Sequence, residues 1–169
     1  MKRLFIIAAA ALASMALLSS CGGKEEPEPK EFGWAEVTMS FSLNEDLYNS
    51  ADVKLNITKM DGTTSSYDVT KTSQTITVDK FKGILPATFS YAYDAVSKGT
   101  LTKDTYDIKL FSSIKIEVYD KNGKLLSDLS SKDDSENKGI KKDAFIEYLS
   151  FFSKSNSAKY TIGADFKIQ

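Results

Sequence analysis

Apolar residues recur at every second position through most of this chain. Val37, Met39, Phe41 and Leu43 alternate with Glu36, Thr38, Ser40 and Ser42, the period of a pleated strand with one dry and one wet face. The same rhythm returns in Val53-Leu55-Ile57, in Phe89-Tyr91-Tyr93, in Tyr106-Ile108-Leu110 and in Ile114-Ile116-Val118. Shorter runs around Tyr67 and Val69, Ile76 to Phe81, and Leu125-Leu126 predict partner strands, and Tyr160 to Ile168 predicts one continuous closing strand. Asp61-Gly62 and Asp120-Lys121-Asn122-Gly123-Lys124 supply turns, because Asn-Gly and Asp-Gly accept the positive backbone angles of tight hairpins.

One segment changes period. Within Asp143–Ser153, Phe145, Leu149 and Phe152 fall at i, i+4 and i+7, with Tyr148 beside them, so a short helix with an aromatic face is expected. Ser130 to Lys142 is polar and charged and reads as a loop without core potential. Seven to nine strands and one late helix make an antiparallel β-sandwich the expected fold, with an eight-stranded barrel as the alternative. Residues 34–169 would form that single domain.

The chain before it is of another kind. Met1-Lys2-Arg3 precedes an apolar run of 15 residues, Leu4 to Leu18. That is short of the roughly 20 residues needed to span a bilayer and suits a signal peptide over residues 1–20. The run ends in Leu18-Ser19-Ser20-Cys21, which resembles the lipobox of bacterial lipoproteins. The resemblance implies that Cys21 is acylated and becomes the first mature residue, attaching the protein to a membrane through lipid. Residues 21–33, rich in Gly, Pro and charge, read as a tether that cannot bury a core. Within it, Lys24-Glu25-Glu26 resembles the surface-export signal of Bacteroidota lipoproteins. Together with the strand rhythm and Lys82-Gly83-Ile84-Leu85-Pro86-Ala87-Thr88-Phe89, these features resemble small Bacteroidota surface lipoproteins with an immunoglobulin-like or transthyretin-like sandwich. The resemblance implies an outer-membrane, lipid-anchored protein that faces outward.

Composition then narrows the chemistry. The chain has no histidine and one cysteine, and its arginine is confined to Arg3. Ser-His-Asp and Cys-His arrangements and histidine-bound metals cannot be built; paired-carboxylate chemistry of the glycoside-hydrolase kind remains, but nothing selects a pair among the 23 acids, and no enzyme, cofactor or metal is expected. Of the 22 basic residues, Lys2 and Arg3 precede Cys21, leaving 20 lysines against 23 acids. A net −3 without arginine forks disfavours nucleic acid. Asp133-Asp134-Ser135-Glu136-Asn137 and the Asp120 turn read as solvated loops and not as calcium sites. The sequon Asn56-Ile57-Thr58 reads as coincidence in a bacterial lipoprotein.

Candidate ligand contacts are aromatic. Phe89, Tyr91 and Tyr93 share a strand face and read as core. Tyr119 falls out of phase with Val118, Ile116 and Ile114, which turns it away from the core near the Asn-Gly turn; it is a candidate for stacking on a ligand. Trp34 is the second candidate, although its place at the domain start also suits it to cover the end of the sandwich. The expected function is a non-catalytic cell-surface binding or accessory module, for glycan capture or adhesion. The alternative is a structural or anchor subunit of a fimbria-like assembly, with an envelope protein as partner and a strand donated between neighbours.

Overall fold

The computed structural model describes residues 31–169. The segments Leu18–Cys21 and Lys24–Glu26, on which the lipidation and export readings rest, lie outside the described residues. Eight strands are present among those described: β1 (Phe32–Leu43), β2 (Ala51–Thr58), β3 (Thr64–Asp68), β4 (Gln74–Phe81), β5 (Ala87–Ser97), β6 (Thr105–Asp120), β7 (Leu125–Lys141) and β8 (Ser157–Ile162). They form two four-stranded sheets, ordered β4-β1-β6-β7 and β3-β2-β5-β8, with antiparallel pairing throughout. The architecture is the expected antiparallel β-sandwich, not a closed barrel.

Alternation builds the core directly. Inward residues Val37, Met39 and Phe41 of β1, Val53, Leu55 and Ile57 of β2, Phe89 and Tyr93 of β5, and Ile108, Leu110, Ile114, Ile116 and Val118 of β6 are all buried. The two apolar runs predicted around Tyr106 and Ile116 belong to one strand of 16 residues. Their phase is continuous through Ser112, whose buried hydroxyl bonds the Tyr93 hydroxyl at 2.9 Å.

Helix α1 (Glu45–Ser50) carries the chain from the first sheet to the second and was not read from the sequence. Asn44 caps it, its side-chain oxygen accepting the Leu47 N–H at 3.3 Å, and Glu45 and Asp46 favour the positive end of the helix. Helix α2 (Phe145–Ser155) follows a 3-10 turn at Lys142–Ala144 and matches the predicted helix. Phe145, Leu149 and Phe152 are buried, and α2 lies along the part of β5 that β8 does not pair, where Tyr93 donates its N–H to the Asn156 carbonyl at 2.9 Å.

Four sequence expectations are corrected. Phe32 and Gly33, placed in the tether, are the first residues of β1. The β1–β6 register shifts there, and a Cβ on Gly33 would sit 2.3 Å from the Asp120 carbonyl oxygen, so only glycine permits the approach. The shift brings Phe32 against Phe81, ring centroids 6.2 Å apart. Second, Ser130–Lys141 is not a loop but most of β7, a strand of 17 residues paired along β6. Third, the closing strand stops at Ile162. A turn with Phe166 at φ 65° reverses the chain, so that Thr161 and Gln169 exchange backbone hydrogen bonds. Fourth, Trp34 does not cover the end of the sandwich but stands on the outer face of the first sheet.

Candidate functional site

The two aromatic residues singled out from the sequence meet. Trp34 on β1 and Tyr119 on β6 are register partners, and their rings stack with centroids 4.9 Å apart and planes 19° from parallel. Cross-strand aromatic pairs of this kind stabilise a sheet as well as offering a surface. Gly123 of the Asp120–Lys124 hairpin lies beside the indole: a Cβ there would be 3.5 Å from the Trp34 ring. Asp120 ties that hairpin, its carboxylate accepting the N–H groups of Asn122 at 2.8 Å and Lys124 at 2.9 Å. The rings are half-buried, each with one face committed to its partner.

Charge surrounds the pair on the same sheet face. Glu36 and Glu117 are register partners one pleat away; Lys80 reaches Glu36 at 3.5 Å and Lys115 reaches Glu117 at 2.7 Å. Partial burial raises the pKa of the Tyr119 phenol, and the hydrogen bond and charge of Glu117 act in the same direction. The surface thus presents two aromatic faces next to two carboxylates, each held by a lysine.

A second cluster is not legible as a site in the sequence, where Tyr91 reads as core and residues 130–142 as loop. On β7 the residues that face the inter-sheet space are Ser127, Leu129, Ser131, Asp133, Ser135 and Asn137, the partners of inward-facing β6 residues Val118, Ile116, Ile114, Ser112, Leu110 and Ile108. Only Leu129 among these β7 residues is apolar, and Ser131 and Asp133 are exposed. The second sheet therefore does not cover this strand. Opposite stand Tyr91 of β5 and Tyr160 of β8, both half-buried, with Tyr91 packed edge-on to Tyr93 at 5.9 Å. Burial drives the Tyr91 phenol far above its ordinary pKa, helped by the charges of Tyr160, Tyr93 and Asp133 and by a hydrogen bond with Tyr160. Burial likewise pushes Tyr93 up to about 12; Ser112 opposes and Asp133 adds to the rise.

The opening is bounded at both ends. Ser127 donates its hydroxyl to the Phe166 carbonyl of the C-terminal turn, and Asn137 donates its amide to the Tyr148 hydroxyl of α2. Between these bridges, Leu129 to Ser135 leave about 20 Å of strand, at roughly 3.3 Å per residue. The one signal of this arrangement in the sequence is the dense polarity of residues 130–138, following the Leu125–Leu129 stretch that leaves the hairpin.

The acidic run Asp133–Asn137 cannot converge on an ion as a loop would, since successive strand residues point to opposite faces. Among the described residues no group of three acidic or other ligating side chains is placed to hold a metal, and no helix is long and apolar enough to cross a membrane. Comparison with protein-family models, curated proteins and solved structures returned no match to this chain.

Proposed function

We propose that the protein is a non-catalytic lipoprotein of the cell surface, attached to the outer membrane through Cys21, whose sandwich domain is a binding module for glycans. The observation that carries the binding role is the meeting of Trp34 and Tyr119, 85 positions apart in the chain, beside Glu36 and Glu117 on an open sheet face. Sugars present C–H faces that complement aromatic rings and hydroxyls that donate to carboxylates. The anchoring role is supported by the resemblance of Leu18–Cys21 to a lipobox. Several acyl chains hold a protein firmly, whereas a single chain is marginal.

The test of the binding role is a glycan array probed with the full chain in mild detergent. Binding to at least one polysaccharide is expected, and silence across a broad array overturns it. The alternative, an anchor subunit that accepts a donated strand, requires an apolar acceptor cleft. The opening beside β7 offers serines, a carboxylate and phenols instead, so the binding reading is preferred.

A further inference from the structure

A sandwich normally seals the space between its sheets with apolar side chains from both. Here the long edge strand β7 turns Ser127, Ser131, Asp133 and Ser135 toward that space. A local rule broken without a packing gain marks a functional position more often than a defect. Apolar residues at 131, 133 and 135 would extend the core, yet the chain places hydroxyls and a carboxylate there, facing two phenols.

We propose that the lateral opening between β7 and β8 is a second ligand groove, in which Tyr91, Tyr160, Ser131 and Asp133 bind an extended, uncharged saccharide chain. This deepens the glycan-binding reading and rests on it. The chemistry selects the ligand class. Asp133 in its ionised form only accepts hydrogen bonds, so it pairs with sugar hydroxyls, while tyrosine and serine hydroxyls both donate and accept. The rings of Tyr91 and Tyr160 supply the flat apolar surface that a pyranose face requires. Asp133 repels uronates and sulfated sugars. The bridges Ser127–Phe166 and Asn137–Tyr148 stop the groove at both ends, so it suits a short stretch of a chain entering from the side. An apolar donated strand finds no matching pockets along this wall.

Affinity electrophoresis of the full chain in mild detergent tests this, with soluble starch, dextran and mannan as neutral polymers and alginate as the anionic one. Retardation by at least one neutral polymer and none by alginate is expected. Tyr91→Phe, Tyr160→Phe and Asp133→Asn should each weaken it about fivefold to tenfold, the worth of one hydrogen bond. Lys54→Ala, exposed on β2 and outside both aromatic clusters, should leave that retardation in place. The conservative variants keep the rings and the side-chain shape, and an unchanged thermal melt shows that they fold. Retardation kept in full by the three groove variants overturns the groove while leaving glycan binding intact. No retardation by any polymer, together with a silent array, overturns both. Capture of an alternating Val-Thr peptide that the groove variants abolish overturns the saccharide in favour of a donated strand.

Discussion

Asp79 is a buried carboxylate at 7% exposure that accepts a hydrogen bond from the Met60 N–H at 2.8 Å. Burial raises its pKa; the Met60 N–H opposes and the nearby Asp61 adds to the rise. A carboxyl with a raised folded pKa binds its proton more tightly folded than unfolded, so its ionisation costs stability as pH climbs past the unfolded value of about 4. Asp79→Asn retains an acceptor for Met60 and removes that cost. The variant should melt higher than the parent at pH 7, and the gap should close in melts below pH about 3.5, where both states of the parent are protonated. Tyr91 and Tyr93 obey the same sign in the alkaline range. Both should remain un-ionised in an ultraviolet titration carried past the pH of about 10 at which a free phenol ionises. Stability should fall as pH rises from about 10, where the unfolded phenols ionise.

At the scale of elements, strands with one dry face were legible because alternation is a direct record of burial: β1, β2, β5 and β6 could be read from Val37, Leu55, Phe89 and Ile116. Helix α2 was legible for the same reason at a different period. What failed was the length of β7: Leu125-Leu126 marked its start, but a strand identified by its apolar face becomes invisible where its inward positions are Ser131, Asp133 and Ser135. Helix α1 was too short for a period, although Asn44-Glu45-Asp46 is a capping signal. The stacked pair was half legible: phase turned Tyr119 outward, but only the β1–β6 register places Trp34 against it. Two substitutions test this level. Phe145→Ala empties the buried face of α2 and should cost about 3–5 kcal/mol in urea unfolding. Gly33→Ala drives a Cβ against the Asp120 carbonyl and should cost about 1–3 kcal/mol, since backbone on both strands must shift.

The described domain is a sandwich with a long polar edge strand and an aromatic pair on one outer face, and we propose that it is attached by lipid at a cysteine ten positions before the first described residue. Its long edge carries Lys132, Asp134, Glu136 and Lys138, charges that discourage edge-to-edge pairing with other chains and leave the groove beside it free for a ligand. Loss of the acyl attachment in Cys21→Ala should shift the protein from the membrane fraction to the soluble fraction, read by fractionation and immunoblot. Outward display of the domain on a lipid tether, as we propose, is tested most directly by protease digestion of intact cells followed by immunoblot for the domain. Loss of the domain signal while a periplasmic control stays whole is the expected result; full protection of the domain on intact cells, with digestion only after lysis, would contradict outward display.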